Sequence, residues 1–351
     1  MNRLAIIALV FALSLGASVL VAWGLYGDQA LRVGRRIDVV RSSVHDSLRR
    51  DTPDRPLLVW LGDSTLVRNF RTGPFPRKLG RQLPMPVETR LAAHPGLTFS
   101  HFYCLLGPAL ALEPELVVIV ANLWSINPAH RKRPLGTLGS LIPAGELRRA
   151  IRLPFRALGG PTAPELIVGR LLRIPTVDSA YHFSVGLRQM FRRALPRAGR
   201  SRSGEFPVGE EWVELFRREA QLGDDYVAAV LRGFDFEITR DDAMVRMMAA
   251  TVSAAVRSDV PVLVYVHPIP VTRLPEAGWY DAGRHARRIG VMREAVSDAG
   301  GAFVDLHAAV PDGGLLDLRG HLDASGADRM ASLLAPHVLA ILDGATRTGS
   351  R

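Results

Sequence analysis

The sequence predicts an α/β protein in which helices cover both faces of a parallel sheet. Four nearly continuous apolar runs of strand length are typical of strands that are buried on both faces. Segments with helical spacing lie between some of these runs and after the last one, which favours a three-layer arrangement. The chain has 351 residues, of which 48% are hydrophobic, enough for one large domain or two smaller ones.

The predicted elements follow one another along most of the chain. The apolar runs are PLLVWLG (56–62), ELVVIVANLW (115–124), VPVLVYVHP (260–268) and GAFVDLHAAV (301–310). A weaker strand candidate is PVETRLAAHPG (86–96). Helical spacing appears at 210–222, 241–256 and 323–342, and Asp323 is the expected N-cap of the last helix.

The N-terminal segment differs from the rest of the chain. Residues 4–27 carry no charge, and about 20 apolar residues are enough to span the roughly 30 Å core of a bilayer. Trp23 and Tyr26 suit the interfacial end of such a helix. We therefore expect a transmembrane anchor; a cleaved signal peptide and a buried helix are the alternatives.

Positive charge flanks this segment unequally and concentrates in one later region. One arginine precedes the segment, whereas Arg32, Arg35, Arg36 and Arg41 follow it, so the positive-inside rule taken alone predicts a cytoplasmic domain. The net charge is +10, and residues 131–204 alone contribute +12. Nucleic-acid binding is not expected, because no recognition motif accompanies these charges. Arginine-rich amphipathic patterns at 146–160 and 185–199 suit an anionic membrane surface or, alternatively, solvated helix faces.

Residues that could support nucleophilic chemistry follow the predicted strands. Ser64 follows the first strand in VWLGDST, Gly96 follows the weak strand, and Asn122 follows the second apolar run. Asp317 and His321 precede the last helix. The carboxyl ends of parallel strands meet at one edge of a sheet, which is where ligands bind in such folds. A hydrolytic serine needs a base, a group that orients the base, and donors for an oxyanion.

These motifs resemble the SGNH, or GDSL-type, hydrolase superfamily. The resemblance rests on GDST after a strand, on Gly and Asn at strand ends, and on Asp…His-Leu-Asp-x-x-Gly before a helix, and it covers about 56–127 and 258–342. It implies a flavodoxin-like sheet of strand order 2-1-3-4-5. It also implies that Ser64 is the nucleophile, His321 the base and Asp317 its partner. The implied oxyanion donors are the backbone N–H groups of Ser64 and Gly96 and the side chain of Asn122.

Two blocks depart from the family pattern. Asn122 has no glycine before it and no aspartate after it, so Asn127 is an alternative donor. The gap between Asp317 and His321 is one residue longer than the usual Asp-x-x-His, so Asp312 or a backbone carbonyl is an alternative partner for the base.

Other histidines follow predicted strands and are alternative bases. His267 ends the third apolar run, and His307 lies two residues after Asp305. A metal site and a bound cofactor are not expected, because the sequence has no His-x-His arrangement and no zinc-ligand spacing. Cys104 is the only cysteine, so no internal disulfide can form.

An anchor, an SGNH domain and a basic insertion together resemble membrane-anchored SGNH proteins of polysaccharide O-acylation systems. The expected function is a serine esterase or O-acyltransferase outside the cytoplasm, acting on acyl esters of a cell-envelope or extracellular polysaccharide. The expected partners are the acylated carbohydrate, the membrane and a membrane-bound O-acyltransferase. The alternative is a non-catalytic scaffold that binds polymer or that acyltransferase.

The predicted organisation is an anchor (1–27), a juxtamembrane linker (28–55), the hydrolase-like domain (56–345) with a helical insertion (128–257), and a disordered tail (346–351).

Overall fold

The protein is an α/β structure built on one parallel sheet. The computed structural model describes residues 51, 54–71, 75–93, 97–128, 230, 233–276 and 281–348. Its five strands are β1 (Leu57–Gly62), β2 (Glu88–Ala93), β3 (Leu116–Ala121), β4 (Val262–Val266) and β5 (Ala302–Asp305). They lie in the order β2-β1-β3-β4-β5, and all neighbouring pairs are parallel. The predicted fold class and strand order are confirmed.

Helices occupy both sides of the sheet. They are α1 (Ser64–Arg71), α2 (Phe75–Gln82), α3 (Phe99–Leu110), α4 (Leu123–Ile126), α5 (Ala243–Val256), α6 (Arg273–Glu276), α7 (Ala282–Asp298) and α8 (Ala324–Thr348). The expected N-cap of α8 is present, since Asp323 Oδ1 accepts a hydrogen bond from the N–H of Gly326 at 2.8 Å. The helix continues to Thr348, three residues into the segment predicted as a tail.

The strand β1 shows why a strand buried on both faces can be predicted from the sequence. Its alternate residues Leu57, Val59 and Leu61 pack on one side of the sheet, in the core formed with α3, α5 and α7. Leu58 and Trp60 pack on the other side, in the core formed with α1, α2 and α8. Every residue of β1 and β3 is buried. A strand with no solvent-facing side has no polar alternation, so it appears in the sequence as a continuous apolar run.

Several predictions lie outside the described residues. These are the anchor at 4–27, most of the linker at 28–55, the helix at 210–222, the arginine-rich patterns at 146–160 and 185–199, and Gly96. In the part of the chain that the structure describes, no helix is both long and apolar enough to cross a bilayer. The end of the predicted insertion is described, and its helix α5 packs against α3 in the core.

Candidate active site

The candidate nucleophile lies at the junction of β1 and α1. The strand ends at Gly62, Asp63 caps the helix, and Ser64 is the first helical residue. A side chain at position 62 would bring its Cβ to 2.7 Å from Leu66 Cδ2, so only glycine lets the helix turn this close to the strand. Ser64 is half-buried, whereas its neighbours Asp63 and Thr65 are buried. The hydroxyl therefore stands at the open edge of the sheet.

The carboxylate of Asp63 holds this junction in position. Its Oδ1 accepts hydrogen bonds from the N–H and the hydroxyl of Thr65, at 3.0 and 2.7 Å. Its Oδ2 accepts from Asn122 Nδ2 at 3.1 Å and from Ser125 Oγ at 2.7 Å. Asp63 is 5% exposed, and these four donors compensate the cost of burying its charge. The loops after β1 and β3 are thereby joined behind Ser64.

Ser64, His321 and Asp317 form one chain of hydrogen bonds. Ser64 Oγ lies 3.0 Å from His321 Nε2, and His321 Nδ1 lies 2.7 Å from Asp317 Oδ2. The other carboxylate oxygen of Asp317 accepts the backbone N–H groups of Arg319 and His321, both at 3.0 Å. The structure thus brings together the three residues that the family resemblance selects as nucleophile, base and orienting acid.

The charge on Asp317 decides the tautomer of His321. Burial by itself raises the pKa of Asp317, but the charge and the hydrogen bonds of His321, with the nearby charge of Arg319, outweigh burial and lower it. An ionised carboxylate only accepts hydrogen bonds, so Nδ1 of His321 carries the proton. The lone pair on Nε2 is then available to the Ser64 hydroxyl, which is the arrangement a general base requires.

The longer gap between Asp317 and His321 is accommodated by Gly320. This residue has a φ of +87°, a conformation that glycine adopts without steric cost. The alternative partner, Asp312, is engaged elsewhere: its Oδ2 accepts from Thr272 Oγ1 and, at 3.2 Å, from the N–H of Arg273. The extra residue therefore changes the loop but leaves the Asp317–His321 pair in contact.

The expected oxyanion donors are only partly described. Asn122 caps α4, and its Oδ1 accepts from the N–H of Trp124 at 2.9 Å. An amide carries two N–H donors, and Asp63 takes one of those on Asn122. The alternative, Asn127, donates its amide to the carbonyl of Gly233 at 2.8 Å. The roles of Asn122 and Gly96 as oxyanion donors stay predictions.

The two alternative bases have other partners. His267 Nε2 lies 2.8 Å from the carbonyl oxygen of Gly320. His307 Nδ1 lies 2.8 Å from Asp305 Oδ1, and its ring centroid lies 4.0 Å from that of His285. The histidine that contacts the Ser64 hydroxyl is His321.

An aromatic side chain lies in the loop that Asp63 binds. Trp124 is half-buried, and the Arg319 guanidinium carbon lies 5.6 Å from its ring centroid. A Cβ at Gly233 would overlap the same ring, at 2.0 Å from its Cζ3. Neither Ser125 nor the contacts of Trp124 could be predicted from the sequence, because neither residue belongs to a recognisable motif. Within the described ranges, no cluster of three His, Cys, Asp or Glu residues is placed to hold a metal ion.

Comparison with known proteins finds similarity to solved structures but to no family. No protein-family model and no curated protein matches the chain. The chain is similar to a proposed arylesterase from Agrobacterium tumefaciens str. C58, with a TM-score of 0.36 and 14% sequence identity. The match covers 82% of this chain and 99% of that chain. A similarity at this level carries no functional weight, so function must be inferred from the residues at the sheet edge.

Proposed function

We propose that this protein is a serine acyl-transfer enzyme of the SGNH type, acting as an esterase or an O-acyltransferase. The observation that carries the proposal is the 3.0 Å contact between Ser64 Oγ and His321 Nε2. Behind it, Asp317 holds Nδ1 of the same imidazole at 2.7 Å. A serine, a base in contact with it and an acid that orients the base are the requirements for an activated hydroxyl nucleophile.

The reaction proceeds in two balanced steps. Ser64 Oγ attacks the ester carbonyl carbon while its proton moves to His321 Nε2, giving a tetrahedral oxyanion and an imidazolium. Collapse breaks the bond to the leaving alkoxide, which takes the proton from His321, and the acyl group remains on Ser64. In the second step a water or a carbohydrate hydroxyl loses its proton to His321 and attacks the acyl carbon. Breaking the bond to Ser64 Oγ returns the proton to the serine.

The developing oxyanion would be held by donors next to Ser64. The backbone N–H of Ser64 belongs to the first turn of α1, whose N–H groups have no partner within the helix. Donors fixed before the reaction stabilise charge in the transition state without reorganisation. In this proposal the N–H of Gly96 and the second N–H of the Asn122 side chain complete the oxyanion hole.

A fluorophosphonate probe tests the proposal directly, because it reacts with activated serines. The wild-type protein should be labelled. Ser258→Ala is the control and should also be labelled, because Ser258 is exposed and precedes β4, at the opposite edge of the sheet from Ser64. Ser64→Ala and His321→Ala should not be labelled, although both should unfold cooperatively in urea. A wild-type protein that stays unlabelled would sink the enzyme proposal and favour the non-catalytic scaffold.

The acyl acceptor distinguishes an esterase, which uses water, from an O-acyltransferase, which uses a carbohydrate hydroxyl. With p-nitrophenyl acetate as donor, an esterase releases acetate at a rate that added oligosaccharide does not change. An O-acyltransferase instead forms acetylated oligosaccharide, detected by mass spectrometry, and Ser64→Ala abolishes that product. We propose a cell-envelope or extracellular polysaccharide as the natural substrate, by analogy with the anchored systems that the sequence resembles.

The proposed location is the cell membrane, with the domain outside the cytoplasm and next to a membrane-bound O-acyltransferase. The uncharged run at 4–27 supports the membrane location. The resemblance to anchored SGNH proteins supports the side of the membrane, against the count of flanking arginines. The full chain should sediment with membranes, dissolve in detergent but not in carbonate, and be cleaved by protease added to spheroplasts. Recovery of the intact chain in the soluble fraction would overturn the location and leave the Ser64 chemistry to its own test.

A further inference from the structure

A second histidine holds the loop that carries His321. His267 follows β4 directly and is 1% exposed. Its Nε2 lies 2.8 Å from the carbonyl oxygen of Gly320, the residue immediately before His321. A carbonyl only accepts hydrogen bonds, so Nε2 of His267 carries the proton and donates it.

The peptide unit between Gly320 and His321 is thereby fixed at both of its polar groups. Its carbonyl accepts from His267, and its N–H donates to Asp317 Oδ1 at 3.0 Å. The same segment lies tightly against the chain after β4, since a Cβ at Gly320 would be 2.3 Å from the carbonyl oxygen of Pro268. The orientation of this peptide plane sets the Cα position of His321, and with it the distance from Nε2 to the Ser64 hydroxyl.

His267 makes this contact as a neutral group. Burial lowers its pKa to about 4, the hydrogen bond to Gly320 opposes that shift, and the charges of Asp63, Asp317 and His321 act more weakly. A neutral donor suits this place, because a fixed positive charge here would oppose formation of the imidazolium on His321. The unprotonated Nδ1 has no hydrogen-bond partner among the described residues, so the bond to Gly320 is the polar contact that the ring makes there.

We propose that His267 is a positioning residue for the reaction, acting on His321 through the Gly320–His321 peptide. The proposal rests on the proposed function for its kinetic consequences. Removing the donor leaves the carbonyl of Gly320 without its partner and lets the peptide turn. Because a misplacement of about 1 Å in a catalytic group can cost about 100-fold in rate, the effect should appear in kcat rather than in KM.

Two variants of similar size distinguish the effect of the His267 N–H donor from the effect of the side-chain volume. His267→Gln places an amide N–H near the position of Nε2, whereas His267→Met fills the space without an N–H donor. With p-nitrophenyl acetate, His267→Met should lose about ten- to 100-fold in kcat with KM changed less than about twofold. His267→Gln should restore most of kcat.

His285→Met is the matched control, because His285 is also buried, at 2% exposure, and its ring centroid lies 4.0 Å from that of His307. It should lose stability in urea but keep the wild-type kcat and KM. The proposal is overturned if His267→Met keeps wild-type kinetics, if His267→Gln is as impaired as His267→Met, or if His285→Met shows the same kinetic loss.

Amide hydrogen exchange gives a readout that does not need activity. In His267→Met the segment 317–321 should exchange faster than in the wild type, while β1 and β3 stay protected and His267→Gln stays at the wild-type rate. Equal exchange in all three proteins would overturn the positioning role. If the wild-type protein proves unreactive towards the fluorophosphonate, the enzyme proposal fails, and this exchange measurement still decides whether His267 fixes the loop.

Discussion

Asp63 and Asn122, which follow adjacent strands, are joined by a hydrogen bond of 3.1 Å between carboxylate and amide. The bond connects the β1–α1 junction, where Ser64 lies, to the loop after β3. Val59 and Val117 are register partners in β1 and β3, so both strands end at the same edge. The position of the nucleophile is therefore set by a buried side-chain contact as well as by the sheet.

Asp63→Asn should destabilise the protein and slow the labelling of Ser64. An asparagine has one carbonyl oxygen, so its NH2 group would face two of the four donors that Asp63 accepts. Leaving buried donors unsatisfied costs about 1–3 kcal/mol each, and we expect a loss of about 2–4 kcal/mol. Urea unfolding measures the loss. Asp298→Asn, at the exposed ion pair with Arg240, should stay within about 0.5 kcal/mol of wild type.

Asp317→Asn should abolish most of the activity while the protein remains folded. Without the negative charge, the neutral amide can donate to Nδ1 of His321, which moves the imidazole proton to Nε2, the atom that must accept from Ser64. In serine hydrolases this exchange costs about 10⁴-fold in kcat, and we expect about 10³-fold or more here. Asp312→Asn tests the alternative partner of the base; it should keep kcat, and a larger loss there than in Asp317→Asn would reverse the assignment.

The strands β1, β3 and β4 could be predicted from sequence because every residue in them is buried. The helix α7 was missed for the opposite reason. Its inward face includes His285 and Arg288 among the buried residues, and a buried arginine interrupts the apolar period that indicates a helix. The guanidinium of Arg288 bonds the carbonyl of Phe234 and lies 4.6 Å from the ring centroid of Phe236. No local pattern reveals such partners.

The residues of the candidate site could be predicted from the sequence, but the contacts that hold them in position could not. Ser64, Asp317 and His321 stand in recognisable motifs, so their convergence was expected from the sheet order. The one-residue extension before His321 left Asp312 open as a partner, and only the backbone conformation of Gly320 resolves the spacing. His267 looked like an ordinary strand end or an alternative base, because its partner is a carbonyl 53 residues further along the chain.

Stability should fall on mild acidification because of two buried histidines. Burial lowers the pKa of His267 to about 4; burial, with repulsion from His307 and Arg288, lowers that of His285 to about 3. In the unfolded chain the pKa of each imidazole is about 6.5. The unfolded state therefore binds more protons below that pH, and stability decreases from about pH 6.5 down to the folded pKa values, by up to about 1.4 kcal/mol per pH unit for each histidine.

Substitution of His285 measures its own contribution to the pH dependence of stability. His285→Leu cannot be protonated, so its loss of stability between pH 7 and pH 5 should be about 2 kcal/mol smaller than that of wild type. Urea unfolding at the two pH values measures this difference. A parallel pH dependence in His285→Leu and wild type would mean that His285 is protonated in the folded protein.

Gly320→Ala should damage both the fold and the site, because two independent constraints require glycine there. The residue has a φ of +87°, and an added Cβ would lie 2.3 Å from the carbonyl oxygen of Pro268. Backbone strain of this kind costs about 1–3 kcal/mol, and relief of the overlap must displace the peptide that positions His321. We expect a loss of about 2–4 kcal/mol in urea unfolding and at least tenfold slower fluorophosphonate labelling of Ser64.

Gly290→Ala is the matched control, since the added Cβ meets nothing within 4 Å in the middle of α7. It should raise stability by about 0.5–1 kcal/mol through helix propensity and leave labelling unchanged. A Gly320→Ala protein as stable and as reactive as wild type would show that the loop tolerates other conformations, and that neither Gly320 nor its contact with His267 determines the placement of His321.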